Sequence, residues 1–178
     1  IVRGLLDFSR KRSRKSTPVP VDRLLDAAIA AVEKHDSFQN VRVHLDLPAH
    51  LPPVDGDFDQ LTQAFVNLAT NAAEAMPDGG TMTIAARAPD NNLIEISVQD
   101  EGVGISAENQ SRLFTPFFTT KPVGRGTGLG LPIVYGVVKM HSGDISVTSE
   151  ENRGTTFKIT LNRWTEKATA DSIPNTRE

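Results

Sequence analysis

The sequence predicts an α+β protein, a two-layer sandwich in which helices pack on one face of a mixed β-sheet. Stretches with a helical apolar period alternate along the chain with stretches in which every second residue is apolar. Of the 178 residues, 38% are hydrophobic and 23% are charged, which is typical of a chain that folds around a core. No run of about 18 consecutive apolar residues occurs, so we expect no membrane contact by this chain.

The first half of the chain is expected to contain three helices and one strand. Apolar residues near the start mark an amphipathic helix, which the two prolines of segment 16–20 end, making that segment a stiff connector. A helix follows at about 22–35, and alternating apolar residues predict a strand at 41–47. Asp57 begins a capping pair for a long helix that reaches about Met76.

The second half is expected to contain four strands and two helices. Alternating apolar residues predict the strands, while Ser106 and Gly143 supply signals for a helix start and a helix end. From Asn162 onward the residues are mostly polar and predict a disordered tail. The expected elements are strands at 81–88 and 93–99, a short helix near 107–113, a helix ending at about Met140, and a hairpin of 144–149 with 155–161.

The net charge of −3 is unevenly distributed. Residues 1–16 carry six basic side chains and one acidic side chain, whereas the rest of the chain is acidic overall. Since no aromatic residue lies within the basic run 10–15, a solvated helix end explains this run better than nucleic-acid binding. The absence of cysteine excludes a disulfide framework, a thiolate metal site and a cysteine nucleophile. Because Ile1 is not methionine, we expect a fragment of a longer protein.

Three polar residues share one side of the long predicted helix. Asn67, Asn71 and Glu74 are spaced four and three positions apart, so they lie opposite the apolar stripe. Asparagine is a mediocre helix former, and its use in mid-helix has a cost. For the two asparagines, an ordinary polar surface and a row of oxygen ligands for hydrated Mg²⁺ are equally good interpretations.

A carboxylate follows the strand predicted at 93–99. Asp100, Gly102 and Gly104, with Ala107, form a variant of the dinucleotide-binding fingerprint, but the acidic residue expected about 20 positions later is missing. The remaining interpretation is a carboxylate beside glycines that let a flat ligand approach the backbone. Taken alone, this pattern also occurs in ordinary surface turns.

Four glycines occupy every second position of segment 124–130, directly before an apolar helix. Backbone N–H groups that lead into a helix N-terminus can bind an anion, and Lys121 and Arg125 add positive charge. The segment is not a Walker loop, because the sequence contains no Gly-Lys-Ser or Gly-Lys-Thr. We therefore expect a phosphate-binding loop of another type rather than a flexible linker.

These segments together resemble the catalytic ATP-binding domain of bacterial sensor histidine kinases, within the gyrase, chaperone and mismatch-repair (GHKL) ATPase superfamily. Residues 67–75 are similar to the N box of that family, residues 100–105 to its first glycine box, and residues 126–131 to its second glycine box. Residues 113–121 resemble its F box, and residues 153–157 resemble its closing Gly-Thr element. All five segments come in the order of the family.

The resemblance implies a catalytic ATP-binding domain at 17–161 with the GHKL fold. It places the end of the second helix of a dimerisation hairpin at 1–16 and leaves a disordered tail at 162–178. The first helix of that hairpin, which bears the phosphoacceptor histidine, has no counterpart in this sequence. None of the four histidines is followed by glutamate, so we expect each to be structural or solvated.

The resemblance also implies a role for each matching residue. Asp100 would accept a hydrogen bond from the adenine amino group of ATP, with water held near Asn67 and Thr156, and Asn71 would bind Mg²⁺. The other implied ATP contacts are two glycines that leave room for the base, Gly102 and Gly104, and the lid residues Thr120, Lys121, Gly124, Arg125, Gly126, Thr127, Gly128, Leu129 and Gly130.

Asn67 and Lys121 are the implied catalytic residues. The ATP-hydrolysing members of the superfamily carry a glutamate base one helical turn before the metal-binding asparagine, at the place of Asn67, and Asn67 cannot remove a proton. The resemblance therefore implies a domain that positions Mg-ATP for γ-phosphoryl transfer to a histidine, with lid cations neutralising the developing charge. A stand-alone ATPase or serine-protein kinase of the same fold, and a non-catalytic nucleotide-sensing module, remain as alternatives.

The resemblance names the expected partners as well. These are the dimerisation and phosphoacceptor domain of the parent protein, which would be a homodimer, and the receiver domain of a response regulator. We expect no nucleic-acid partner. The expected location is the cytoplasm, whether or not the parent protein carries a membrane anchor elsewhere.

Overall fold

The computed structural model describes residues 16–122 and 126–166 of the chain. The helix predicted within 1–16 and the tail predicted beyond Glu166 lie outside the described residues, apart from Ser16. In chain order the described elements are β1 (Thr17–Val19), α1 (Val21–Val32), a 3₁₀ turn (Asp36–Phe38), β2 (Val41–Asp46), β3 (Val54–Gly56), α2 (Phe58–Glu74), β4 (Gly80–Arg87), β5 (Leu93–Asp100), α3 (Ala107–Gln110), α4 (Gly130–Met140), β6 (Asp144–Glu150) and β7 (Gly154–Asn162).

Five strands form one mixed sheet in the order β2-β4-β5-β7-β6. Strand β2 runs parallel to β4, and the other neighbours in this sheet are antiparallel. Buried residues alternate with more exposed ones along β4, β5 and β7, so one face of the sheet meets the core. Helix α2 packs on β4 and β5, while α1 and α4 pack against α2. The predicted α+β architecture, with helices on one face of a mixed sheet, is confirmed.

Helix α2 separates the core from a polar groove. Its N-cap Asp57 accepts a hydrogen bond at 3.1 Å from the backbone N–H of Gln60, which confirms the predicted capping pair. One side of the helix buries Leu61, Phe65 and Leu68, and each side chain of this size contributes about 1.5–3 kcal/mol when fully buried. This burial fixes the rotation of the helix about its axis and so turns the opposite, polar side away from the core.

The segment predicted as a stiff connector is a β-strand, so that prediction is wrong. Strand β1 pairs antiparallel with β3, and Thr17 lies opposite Gly56 while Val19 lies opposite Val54. The Val19 side chain is buried in the core. The prolines at 18 and 20 argue against a strand in the sequence, yet proline is tolerated on an edge strand such as this one. The pairing partner also lies far away in the sequence, so no local pattern indicates the strand.

The start of the predicted tail is also structured. Strand β7 continues through Asn162, and Arg163 forms an isolated bridge with Val54. The backbone N–H of Trp164 donates to the carbonyl of Pro53 at 2.8 Å. These contacts lie in the backbone, so the polar side chains of this segment gave no sign of them.

The other predicted elements within the described ranges are present, with shifted ends. Helix α1 ends at Val32 rather than 35, and α3 ends at Gln110 rather than 113. None of the described helices has the length and apolar content needed to cross a bilayer.

A buried histidine joins the two helices that border the groove. His141, at the end of α4, has no exposed surface. Its Nδ1 lies 2.7 Å from the carbonyl of Val137 and donates to it, while Nε2 accepts the backbone N–H of Asp57 at 3.0 Å. The side chain is therefore a neutral imidazole that ties the end of α4 to the start of α2. The expectation of a structural role is confirmed for this histidine, whereas His35, His44 and His50 are exposed.

Replacing His141 with alanine should lower the free energy of unfolding by about 2–4 kcal/mol. The change leaves a cavity and a buried N–H at Asp57 without its acceptor. Urea unfolding should show the loss as a lower midpoint, and His50→Ala, in an exposed loop, should leave the midpoint near that of the unaltered chain. Equal midpoints for the two variants would contradict this role.

Candidate nucleotide-binding site

The polar row on α2 faces the segment that leads into α4. The Asn67 side-chain amide donates to the carbonyl of Gly130 at 3.4 Å and receives the Gln63 amide at the same distance. The Nζ atom of Lys121 lies 3.5 Å from Asn71 Oδ1 and forms an ion pair with Glu74 Oε2. The structure therefore brings together the side chains of the predicted N box and one residue of the predicted F box.

The position of Lys121 shows what this groove can hold. Its ammonium group contacts a carboxamide oxygen and a carboxylate oxygen at once, and both are hard oxygen ligands. Within residues 16–122 and 126–166, no group of three or more histidine, aspartate or glutamate side chains could hold a metal ion by itself. Two oxygen donors and open space fit Mg²⁺, which usually takes one or two protein ligands and completes its shell with phosphates and water.

Asp100 is a buried carboxylate at the end of β5, with 3% of its surface exposed. Its Oδ1 accepts the backbone N–H groups of Gly102 at 2.9 Å and Thr155 at 3.2 Å. Burial raises the pKa of the Asp100 carboxyl, and these two hydrogen bonds lower it by a smaller amount. Among the described residues Oδ2 makes no hydrogen bond, so it can accept one from a ligand.

The glycines beside Asp100 are required by the packing of the protein itself. A Cβ atom on Gly102 would lie 2.5 Å from the carbonyl oxygen of Ala75, at the end of α2. Gly104 has φ of +68°, and a Cβ there would lie 2.0 Å from the carbonyl oxygen of Glu150. From the sequence, these glycines were expected to leave room for the base of a nucleotide. The structure gives them another reason, which is that the turn after β5 presses against α2 and the β6–β7 turn.

The predicted contact at Thr156 needs correction. In the sheet Asp100 pairs with Thr155, whereas Thr156 pairs with Gln99. Because successive side chains of a strand point to opposite faces, Thr155 shares the face of Asp100 and Thr156 lies on the other face. Thr155 is buried, and its backbone N–H donates to Oδ1 of Asp100, so Thr155 rather than Thr156 lies beside this carboxylate.

The second glycine segment packs against the predicted F box. The backbone N–H of Phe117 donates to the carbonyl of Gly128 at 2.9 Å. Gly128 has φ of +63°, and a Cβ there would lie 2.4 Å from the carbonyl carbon of Phe117. The hydroxyl of Thr127 accepts the N–H of Leu129 at 3.3 Å, just before α4 begins at Gly130. The backbone of this segment is therefore held beside the polar row of α2.

The other predicted lid residues vary in placement. Gly126 is half-buried and packs on the Thr119 hydroxyl and the Lys121 side chain, while Thr120 is exposed. Gly124 and Arg125 lie outside the described residues. The structure thus places the polar row of α2 beside the end of the glycine segment, but it leaves the middle of the predicted lid undescribed.

The aromatic residues of the predicted F box have different surroundings. The ring of Phe114 packs on that of Tyr135 in α4, with centroids 5.2 Å apart. The guanidinium of Arg112 lies 4.4 Å above the ring of Phe118. Phe117 is 65% exposed and has φ of +66°, an unusual value for a bulky residue. The structure thus divides the F box into a packed part and an exposed part.

Sequence reasoning missed three residues near Asp100. Thr155 donates to it, and Ser149 and Gln110 hold the surrounding turns together through side-chain hydrogen bonds. Pairing the predicted strand 93–99 with 155–161 in the correct register would have placed Thr155 opposite Asp100. No local signal marks Ser149 or Gln110.

The fold and this groove define a nucleotide-binding domain of the two-layer α+β type. The family model described as "Histidine kinase-, DNA gyrase B-, and HSP90-like ATPase" matches residues 56–165. The chain belongs to this family of ATP-binding domains, and the resemblance read from its sequence boxes is confirmed.

Curated relatives of the chain are sensor kinases. It is 38% identical over 188 aligned residues to the sensor kinase CckA of Brucella abortus (strain 2308), covering 98% of this chain and 20% of that protein. It is 41% identical over 141 residues to sporulation kinase E of Bacillus subtilis (strain 168), covering 79% of this chain and 19% of that protein. The chain thus spans about a fifth of the length of these relatives.

Solved structures with the same fold include histidine kinase domains. The mycobacterial sensor histidine kinase MprB superposes with a TM-score of 0.73 at 28% identity, over 84% of this chain and 98% of that one. Full-length ShkA in complex with AMPPNP superposes with a TM-score of 0.79 at 24% identity, over 91% of this chain and 35% of that one. The second similarity, at this identity, concerns the fold alone.

Proposed function

We propose that this chain is the catalytic ATP-binding domain of a two-component sensor histidine kinase. In this role it positions Mg-ATP so that the γ-phosphoryl group passes to a histidine on a dimerisation helix. The observation that carries the proposal is a groove in which the ammonium group of Lys121 contacts oxygens of both Asn71 and Glu74. Asn67 and the start of α4 border this groove.

The residue at position 67 favours a kinase over an ATPase. Hydrolysis needs a base that removes a proton from water, and a carboxamide has no basic site for that task. The Asn67 amide is bonded to the Gly130 carbonyl, so it supports the glycine segment. A histidine nucleophile brings its own lone pair, which forms the bond to phosphorus as the bond to the ADP oxygen breaks.

Asn71 and Glu74 provide the oxygen atoms that would hold Mg²⁺, and the metal would neutralise charge on the phosphates. Lys121 would leave the two oxygens and turn its ammonium group to the triphosphate, as the resemblance implies. The backbone of 126–130 and the N-terminus of α4 would contact the phosphates from the other side. Asp100 would hold the adenine ring through its 6-amino group, with Thr155 rather than Thr156 beside it.

The partners follow from the same proposal. The phosphoacceptor histidine would belong to the dimerisation domain of a homodimeric parent protein, and a response-regulator receiver domain would take the phosphoryl group afterwards. The histidine kinase ThkA superposes on this chain with a TM-score of 0.75 in a complex with response regulator protein TrrA, at 23% identity. We place the domain in the cytoplasm, where ATP and receiver domains are found.

The test is incubation of this chain with γ-labelled ATP and Mg²⁺, with and without the dimerisation hairpin of the parent protein. We expect ATP binding in both samples and label on the added hairpin alone. The label should be lost in acid, because phosphohistidine is acid-labile. Acid-labile label on this chain by itself would contradict the expectation that this chain lacks the phosphoacceptor histidine. Rapid release of phosphate would favour a stand-alone ATPase, and ATP binding without any transfer would favour a nucleotide-sensing module.

A further inference from the structure

A polar row crosses three strands of the sheet beside the proposed base-binding site. Asp100 on β5 pairs with Thr155 on β7, and Thr155 pairs with Ser149 on β6. Paired residues share a face of the sheet, so all three side chains lie on the face that meets the helices. The next row on this face is apolar and contains Val98 and Phe157. The polar row is therefore the edge of the core nearest the proposed site.

The hydroxyl of Ser149 uses its full hydrogen-bonding capacity in this row. It donates to the carbonyl of Gly154 at 2.9 Å and accepts the backbone N–H of Ile105 at 2.8 Å. The hydroxyl of Thr155 lies 2.9 Å away and donates to the remaining lone pair. One side chain thus joins the turn after β5 to the start of β7.

These are the two segments that hold the carboxylate of Asp100. Its Oδ1 accepts one N–H from Gly102, in the turn that ends at Ile105, and one from Thr155. The Gln110 side chain strengthens the same junction, since its Nε2 donates to the carbonyls of Ile105 and Ser149 at 2.8 Å and 2.9 Å. Moving either segment would move a donor to Asp100 and so turn its free oxygen.

We propose that Ser149 is a positioning residue for recognition of the adenine base. It does not touch the nucleotide, but it fixes the two segments whose N–H groups orient the Asp100 carboxylate toward the 6-amino group of adenine. This inference rests on the proposed function, because it assumes that Asp100 reads the base of bound ATP.

The test compares two nucleotides that differ only in the group that Asp100 would read. ATP carries a 6-amino group, and purine riboside triphosphate carries hydrogen at that place. The variant Ser149→Ala should raise the Kd for Mg-ATP by about 5- to 30-fold, which is the range for losing a buried hydrogen bond. It should change the Kd for purine riboside triphosphate by less than about twofold, since that ligand never makes the bond.

Two further variants complete the design. Ser146→Ala makes the same substitution on the exposed face of the same strand and should leave both Kd values unchanged. Thr155→Val keeps the backbone N–H and the shape of the side chain but removes the hydroxyl beside Ser149, so it should reproduce the selective loss of ATP binding. If Ser149→Ala does not fold, Thr155→Val tests the positioning role in its place.

The outcomes separate the inference from the function on which it rests. An equal loss of affinity for both nucleotides, or no loss beyond that of Ser146→Ala, would overturn the positioning role while leaving an ATP-binding domain. Failure of the unaltered chain to bind Mg-ATP would overturn the proposed function itself.

Discussion

Replacing Asp100 with asparagine should raise the Kd for Mg-ATP by about 10- to 150-fold while the domain stays folded. The carboxylate is the proposed acceptor for the adenine amino group, and a hydrogen bond to a charged group contributes about 1.5–3 kcal/mol. Asparagine can keep the bonds to Gly102 and Thr155 through its oxygen, but its amide nitrogen then faces the adenine amino group, so two donors meet. Titration calorimetry measures the change directly.

Asp90→Asn is the matched control for this substitution. Asp90 lies in the exposed turn at the other end of β5, where its side chain accepts the N–H groups of Asn92 and Leu93. Asparagine can make the same bonds, so ATP affinity should not change. GTP should compete poorly with the unaltered chain, because guanine places a carbonyl where adenine has its amino group. Equal affinity for ATP and GTP would remove Asp100 from base recognition.

The pH dependence follows from the raised pKa of Asp100. As pH falls through that pKa, the carboxyl takes a proton and loses its charge. ATP affinity should therefore begin to fall at a pH where an ordinary aspartate, with a pKa of about 3.9, is still ionised. For folding the sign is opposite. A carboxylate whose pKa is raised in the folded state lowers stability at neutral pH, and this cost disappears as pH falls through the folded-state pKa. Asp100→Asn should thus not lower the free energy of unfolding at neutral pH.

Replacing Asn71 with alanine should reduce phosphoryl transfer to the dimerisation hairpin by about 100-fold or more. Loss of one preorganised electrostatic group in an active site typically costs 10²- to 10³-fold in rate. Asn71 Oδ1 is one of the two oxygens that hold the ammonium group of Lys121 and would hold Mg²⁺. Transfer of γ-label from ATP at saturating Mg²⁺ measures the effect.

Asn91→Ala is the control, since Asn91 is an exposed asparagine in the turn between β4 and β5. It should transfer label at the rate of the unaltered chain. Asn71→Asp retains an oxygen ligand and should keep more activity than Asn71→Ala. If Asn71→Ala transfers label as fast as Asn91→Ala, the metal is held elsewhere.

Most of the layered fold was predictable because it depends on local apolar periods. The alternation in strands β4, β5 and β7 and the stripe on α2 each identify one buried face, and burial then assembles the layers. Strands β1 and β3 were not predictable in this way. Each has three residues, and their pairing depends on backbone groups about 37 positions apart rather than on side-chain pattern.

The site was predictable in composition but not in its connections. The spacing of Asn67, Asn71 and Glu74 placed them on one helix face, and Asp100 was recognisable at the end of its strand. The donor from Thr155 depends on strand register, where a displacement of one residue exchanges the two faces. For this reason the sequence alone points to Thr156 instead of Thr155. Ser149 could not be predicted, because its hydrogen-bond partners lie in three different segments.

The hydrogen bonds of His141 join α4 to α2 at one end of α4 only. The bond from the Asp57 N–H to His141 lies at the end of α4 that is remote from the glycine segment, since Gly130 lies 11 residues earlier along the helix. At 1.5 Å per residue the glycine end of α4 is about 16 Å from this hydrogen bond. A tilt of α4 by about 5° about the histidine would displace its glycine end by about 1.4 Å. That distance is enough to break the hydrogen bond from Asn67 to Gly130, so a small tilt of α4 would change the contacts of the proposed nucleotide groove.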